Sequence, residues 1–499
     1  MQSKCQSTPV SSRRKFLAFG GAGVGLACLG GCSTNPATGQ DSVTGFYSLK
    51  DDIQMGQSEY PNLIRAFGGA YDDVRLQSYI VRIGRDLASR SELPELPWDF
   101  TVLNTPIVNA LALPGGKIAI TRGLLAVAST EAEVAGVLAH EIGHVTARHT
   151  AQRQTRGLLA NLGLVALGVA TQSAQVMQLS QTLAAGYLQG FSRSQELESD
   201  TLGVRYLNTS GYDSDAMATF LMSLREHSQL EARLQGLSPG VVDESNMMAS
   251  HPRTIDRVRQ AQAAAEQTGE GRNGRENRDV YLEAINGMVF ADDPDQGYVR
   301  GQDFLHAGMR FGFRVPDGFL LRNGTSQVTA QNKSGATIVF DAAKAERSRN
   351  LSEYIQSEWT EGLNLANVEA IKVNGLSAAT GQARINTQQG TADLRVVAYQ
   401  WDGSQLFRLM FLTPVKDARA YTNGIRQTIN SFRRLTEAEA SDLKPLRLIT
   451  VEARRGDSIN ALAQTLPYGS LNEDWFRMLN DLSADQPLPV GRSIKVVTA

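Results

Sequence analysis

Between residues 48 and 93 the apolar positions recur at a spacing near 3.6, the period of helices with one buried face. The pattern then shortens. Trp98-Asp99-Phe100-Thr101-Val102-Leu103, Ala110-Leu111-Ala112-Leu113 and Lys117-Ile118-Ala119-Ile120 read as strands, with Pro114-Gly115-Gly116 as a turn. Long helical stretches run on to about residue 266, and residues 267–279 have the Gly- and Asn-rich composition of a linker. From 280 to 436 strand-like segments such as Thr337-Ile338-Val339-Phe340 and Leu406-Phe407-Arg408-Leu409-Met410-Phe411 alternate with helical patterns at 351–365 and 417–433. This predicts a separate α+β unit, in which no catalytic constellation is visible. Residues 447–499 form a last short segment bounded by strand-like runs at 449–451 and 494–496.

The N-terminus reads as a targeting segment. Ser12-Arg13-Arg14-Lys15-Phe16-Leu17 precedes the small, apolar run Ala18 to Leu29, and the paired arginines resemble a twin-arginine export signal. Leu29-Gly30-Gly31-Cys32 resembles a lipoprotein processing box, which makes 1–32 the signal and Cys32 the lipidated first residue of the mature chain. An uncleaved membrane anchor is the alternative, but the run is shorter than the ~20 residues that a span needs. Ser33 follows the cysteine; in bacterial lipoproteins aspartate there favours inner-membrane retention, so serine fits release to the outer membrane. Cys5 and Cys28 fall in the removed segment, so Cys32 is left as the one cysteine and no disulfide forms. Residues 33–43 then read as a polar tether between lipid and fold.

The chemistry is concentrated in His140-Glu141-Ile142-Gly143-His144. Histidines four apart on a helix stand on one face a turn apart, close enough to share a metal ion. Glu141 lies about 100° further round, where it can hold the attacking water as a general base. Thr130-Glu131-Ala132-Glu133 has a capping-box pattern, and Val134, Leu138 and Val145 give the helix an apolar stripe away from the histidines. Gly136 and Gly143 weaken helix propensity, so they are expected to serve close packing of a strand or substrate backbone.

Catalytic zinc takes three protein ligands and keeps one position open. His149 does not fit the long metzincin pattern, because Ala147 and Thr150 stand where that pattern has glycine and histidine; it reads as a surface or supporting residue. Glu196 and Asp200 share a face of the helical stretch Ser192 to Asp200, with Glu196 the third ligand and Asp200 the acceptor that fixes a ligand histidine's tautomer. Glu198 points elsewhere and reads as solvated.

Taken together, His-Glu-Ile-Gly-His, Ser192-Arg193 with Glu196, Glu198 and Asp200, Asn109-Ala110-Leu111-Ala112-Leu113-Pro114-Gly115-Gly116, and Ser250-His251-Pro252 resemble the HtpX, CaaX-prenyl-protease and BepA metallopeptidases over residues 45 to 265. The resemblance implies a gluzincin-type zinc endopeptidase with one zinc per subunit, His140, His144 and Glu196 as ligands, Glu141 as base and Asp200 as support. Ser199 departs from the alanine common in that family. The expected fold class is α+β: a mainly helical peptidase domain with a small sheet at 44–266, then the α+β domain, then a small module at 447–499. Arg455-Gly456-Asp457-Ser458, Asn480-Asp481 and the terminal Gly-x-x-Ile of that module resemble LysM, a strand-helix-helix-strand fold that binds N-acetylglucosamine polymers. Glycan binding and a purely packing role both remain open for it.

The strand at Asn109, Ala110, Leu111 and Ala112 is expected to present an edge to an extended substrate peptide. His251 reads either as a latch on the open zinc position, as an oxyanion donor, or as a packed loop histidine. The apolar run 158–170 reads as a helix that shields the site, or else as an element facing a membrane or a partner. A length of 499 residues suits two or three domains, and a net charge of -2 argues against nucleic acid as a partner. The expectation is a lipoprotein of the outer membrane facing the periplasm that cleaves unfolded or misassembled envelope proteins. A chaperone or scaffold with a latent zinc site, and a peptidoglycan hydrolase, are the rival readings.

Overall fold

The computed structural model describes residues 32–39, 41–44, 47–155, 190–242, 251, 255–269, 273–345, 350–387 and 390–499. The segment ahead of Cys32 expected to be an export signal and the apolar run 158–170 lie outside the described residues, as do Ser250 and Pro252.

After the hairpin β1 (Cys32–Thr34) and β2 (Asp41–Val43) come helices α1 (Leu49–Ala66) and α2 (Val74–Ala88). Ser48 closes a capping box on α1, and Asp73 accepts from two backbone amides of α2. Strands β3 (Asp99–Leu103), β4 (Ala110–Leu113) and β5 (Lys117–Thr121) form a sheet in the order β3-β5-β4, so β4 is an edge. The β4–β5 turn needs the positive φ of Gly115 and Gly116. Helix α3 (Arg122–Val127) leads to α4 (Glu131–Thr146), and α5 (Arg193–Thr209), α6 (Ala216–Leu234) and α7 (Ile255–Glu266) follow.

Every residue of α4 is buried, on all faces and not along one stripe. A helix enclosed in this way is the centre of the domain, held against α2, α5, α6 and the small sheet. Its N-cap is Thr130, which accepts from the Glu133 amide; the Glu133 carboxylate returns the bond to Ser129 N, one residue earlier than a capping box would have it.

Among their described residues, the tether and linker expected from composition are exposed for the most part but make specific contacts with the fold. Thr34 pairs with Asp41 across the first hairpin, and Asn35 at its turn is 3 % exposed. Arg275 exchanges backbone hydrogen bonds with Gly211 and Asp213, and the Glu276 carbonyl accepts from Ala132 N at the start of α4. Polar composition there combines solvent-exposed residues with a few polar groups that have partners on other elements.

The expected break at residue 280 also shifts. Helix α8 (Arg278–Ile285) and strand β6 (Val289–Phe290) bury Tyr281, Leu282 and Ile285 in the same core as α4. Near the C-terminus, strand β18 (Leu446–Glu452) pairs with both β6 and β19 (Ser493–Thr498), with two short helices between β18 and β19. Leu448, Trp475, Phe476 and Val497 of this strand-helix-helix-strand segment enter that core too. Lys495 seals the contact, its buried ammonium donating to the carbonyls of Ala126, Val127 and Ala128 at the end of α3.

The intervening unit is a seven-stranded antiparallel sheet in the order β10-β11-β12-β16-β15-β14-β13, where β10 is Leu320–Asn323, β11 Gln327–Gln331, β12 Thr337–Lys344, β13 Ala366–Val373, β14 Leu376–Thr387, β15 Gly390–Asp402 and β16 Gln405–Pro414. In β16 Phe407, Leu409 and Phe411 enter one core while Leu406, Met410 and Leu412 face the other, the two-residue alternation of a sheet covered on both sides.

Candidate functional site

Three elements converge. Helix α4 carries His140, Glu141 and His144; α5, opened by a Ser192–Gln195 capping box, carries Glu196 and Asp200; α7 carries Arg257, and His251 stands four positions ahead of its first residue. The two main helices approach closely because they meet at glycines. A Cβ on Gly143 would lie 3.3 Å from Ser199 Cα, and one on Gly203 would lie 3.2 Å from His140 N and 2.4 Å from Met217 Cε. Gly143 therefore serves the approach of a helix, not of a strand or substrate.

His140, His144, Glu196 and His251 each offer a donor atom, all within 4.8 Å of one another. His140 Nε2 is 3.0 Å from His144 Nε2 and 3.6 Å from Glu196 Oε2, and His144 Nε2 is 3.5 Å from Glu196 Oε1. Donors bound to tetrahedral zinc at ~2.0–2.2 Å stand roughly 3.3–3.6 Å apart, so two imidazoles and a carboxylate at these separations suit that ion in chemistry and spacing. His251 Nδ1, 3.3 Å from His140 Nε2 and 2.9 Å from Glu196 Oε1, occupies the fourth corner. Its Nε2 lies 3.5 Å from Glu141 Oε1, while Glu141 Oε2, equally buried, has no hydrogen-bond partner among the described residues.

Electrostatics favour the ligand states. Burial drives the pKa of His144 well below its ordinary value, which keeps the ring neutral with a lone pair to give. Burial pushes Glu196 upward, but His251 and Arg257 outweigh it and hold the carboxyl well below the usual range. Asp200 is likewise lowered against its burial, by Arg257 and His140. His140 Nδ1 lies 2.9 Å from Asp200 Oδ1, the arrangement that leaves Nε2 free for a metal.

Arg257 escaped the sequence reading. It is 4 % exposed, donates to Asp200 Oδ1 and Oδ2 at 2.6 and 2.8 Å, and reaches Glu196 Oε2 at 2.8 Å. Two buried carboxylates a turn apart require a cation, and that demand was the available signal. His149 is not a surface residue: it is fully buried, with Nδ1 2.8 Å from His144 Nδ1 and 3.4 Å from Ser199 Oγ. Glu198 is not simply solvated either. It accepts from His149 Nε2 at 3.2 Å and from Asn35 Nδ2 at 2.9 Å, and the bond from His149 lowers its pKa.

The edge strand β4 runs beside α4, and Ala112, Leu113 and Pro114 line a small cleft with His144, Val145 and Arg148. Asn109, Ala110 and Leu111 are buried, and Asn109 is tied to Thr121 through its backbone amide and carbonyl.

Residues 75–265 match Peptidase family M48. The chain is 33 % identical over 196 residues to the beta-barrel assembly-enhancing protease of Escherichia coli (strain K12), a match covering 37 % of this chain and 40 % of that protein. The protein of the same description from Yersinia pestis is 32 % identical over 230 residues, covering 44 % and 45 %. The mitochondrial metalloendopeptidase OMA1 of Arabidopsis thaliana is 38 % identical over 143 residues, 28 % of this chain and 29 % of that one. The chain thus spans less than half the length of these curated relatives. Among the described residues no helix is long and apolar enough to cross a membrane.

Proposed function

We propose, from the match of residues 75–265 to Peptidase family M48, that this protein is a zinc-dependent metalloendopeptidase. The observation that carries the reading is the buried donor set His140, His144 and Glu196, with the unpartnered Glu141 Oε2 beside it. His140, His144 and Glu196 would hold a zinc ion, which when bound would supply Lewis acidity toward a scissile carbonyl and toward the attacking water. Glu141 takes the proton from that water and returns it to the leaving amine. Asp200, clamped by Arg257, holds the His140 ring and its tautomer. As the edge strand of its sheet, β4 is the element to receive an extended main chain, which suits unfolded substrates.

The relatives' description as beta-barrel assembly-enhancing proteases supports cell-envelope proteins, unfolded or misassembled, as the substrate class. The lipoprotein-like processing box supports anchoring through Cys32 to the outer membrane on its periplasmic side. The LysM resemblance of 447–499 supports peptidoglycan as a further contact.

His251 in the fourth corner favours a second reading, in which the site is latent and the protein acts as a chaperone or scaffold. Under the enzyme reading His251 is a latch that leaves on substrate binding. One set of measurements separates the two: zinc content and casein hydrolysis of the purified protein, with Glu141→Gln and Glu196→Ala. Glu141→Gln is expected to keep its zinc and lose ~10²–10⁴-fold in hydrolysis, and Glu196→Ala to lose the zinc. Full complementation of an envelope-stress phenotype by Glu141→Gln favours the scaffold; one tightly held zinc in Glu196→Ala removes that ligand. Release of soluble muropeptides from purified sacculi favours the peptidoglycan hydrolase.

A further inference from the structure

The two histidines of α4 are supported in different ways. His140 meets a carboxylate directly, and that carboxylate is clamped by an arginine; all three groups belong to helices of the peptidase core. His144 instead meets a second imidazole. From there a line of contacts leads out of the core: His144 Nδ1 to His149 Nδ1 at 2.8 Å, His149 Nε2 to Glu198 Oε2 at 3.2 Å, and Glu198 Oε1 to Asn35 Nδ2 at 2.9 Å.

Proton positions along this line follow from its ends. His144 Nε2 faces His140 and Glu196, so as a metal ligand it keeps its lone pair and the ring proton sits on Nδ1. That N–H can only donate to His149 Nδ1, which must then be the acceptor. His149 carries its own proton on Nε2 and donates it to Glu198. Asn35 is oriented independently, because its Oδ1 accepts from Ala37 N and leaves Nδ2 to donate. Every link has one polarity. Phe191 stacks on the His144 ring with centroids 3.9 Å apart, which sets the plane of the ring but does not select a tautomer.

We propose that His149, Glu198 and Asn35 are positioning residues for His144, so that the hairpin turn following Cys32 is a built part of the metal site. The proposal rests on the zinc reading above and deepens it. Asn35 lies 163 residues from Glu198 in sequence and three from Cys32, and it is buried although the segment around it is polar. Docking of this turn on α5 is then a condition for full metal affinity, and lifting it away releases Glu198 and loosens the ring that Glu198 orients through His149. The metal site thereby senses whether the N-terminal segment is seated.

The test is zinc affinity of the full chain by competition with a chelator, together with the absorption spectrum of the cobalt(II) form. His149→Phe, which fills the space without donor or acceptor, is expected to lower zinc affinity by ~10- to 100-fold and to alter the cobalt spectrum. His149→Gln, whose amide can accept from His144 and donate to Glu198, is expected to recover most of the loss. Asn35→Ala should weaken binding less than His149→Phe, and Asn35→Asp more than Asn35→Ala, because it sets a carboxylate against Glu198. Wild-type affinity and spectrum in both His149→Phe and Asn35→Asp overturn the relay while leaving the zinc reading intact. If His149→Phe does not fold, Asn35→Asp at the far end decides alone. Absence of zinc uptake by the wild-type chain overturns the functional reading, and the relay with it.

Discussion

Around the donor cluster His140, Glu141, His144, His149, Glu196, Asp200 and Arg257 are all buried, whereas the core of the seven-stranded unit is built from rings such as Phe304, Phe311, Phe340, Phe407 and Phe432. Among the described residues from 298 to 436, His306 is the one buried histidine, lysine, arginine or acid. Ring centroids there stand 4.4 Å apart for Phe311–Phe407 and 5.5 Å for Phe340–Phe407, tight packing that gains hydrophobic and dispersion energy together. A buried ion network does the reverse, since desolvation consumes most of what the pairing returns. A hydrophobic set of the same volume would stabilise the first region as well or better. What the charges add is orientation: each ligand side chain is held by a named partner, and each partner by another.

Substitutions at the two cores should therefore fail differently. Arg257→Ala is expected to have the largest effect, because it leaves Glu196 and Asp200 as uncompensated buried charges at a cost of roughly 3–5 kcal/mol. It should also weaken zinc binding, since His140 loses a fixed Asp200. Unfolding by urea and chelator competition report the two losses separately, and a stable Arg257→Ala with normal zinc affinity would break the comparison. Phe407→Ala is expected to cost roughly 3–5 kcal/mol in stability through the cavity it leaves, with no change in zinc affinity. A loss of zinc in that variant would mean that the two cores are coupled.

Local pattern carried a large part of this architecture. The helical period gave α1 and α2, the short apolar runs gave β3, β4 and β5, and four-residue spacing placed His140 with His144 and Glu196 with Asp200 on common faces. What stayed hidden depends on long-range partners. Nothing near Asn35 distinguishes a polar tether from a polar turn whose amide reaches a carboxylate on another element. Its position two residues from Glu196 turns Glu198 away from that face and predicts solvation, which is correct for one helix in solvent and incomplete once His149 packs beside it. Tyr281, Leu282 and Ile285 form the same apolar stripe whichever core receives them, so the pattern located the helix and misjudged its neighbour. The resemblance to a strand-helix-helix-strand module suggested a separate end piece for the same reason: a β-strand's alternation does not say that Lys495 is buried against α3.

The smallest expected effect sharpens the comparison by moving a charge to the surface. Strands β8 (Asp303–His306) and β9 (Phe311–Arg314) pair Asp303 directly with Arg314, and the side chains meet at 2.8 Å. That is closer than several contacts in the donor cluster, but the two side chains are 38 % and 54 % exposed. Water screens the pair, and holding two mobile side chains in one geometry costs entropy, so Asp303→Asn is expected to change stability by only ~0.2–1 kcal/mol. The difference should shrink further in 1 M salt, where the screening length is roughly 3 Å. Urea unfolding of both proteins at low and high salt measures this. A salt-independent loss as large as that of Arg257→Ala would show that distance alone sets the worth of an ion pair here; a small, salt-sensitive one places the cause in burial, which is what separates the donor cluster from the rest of the molecule.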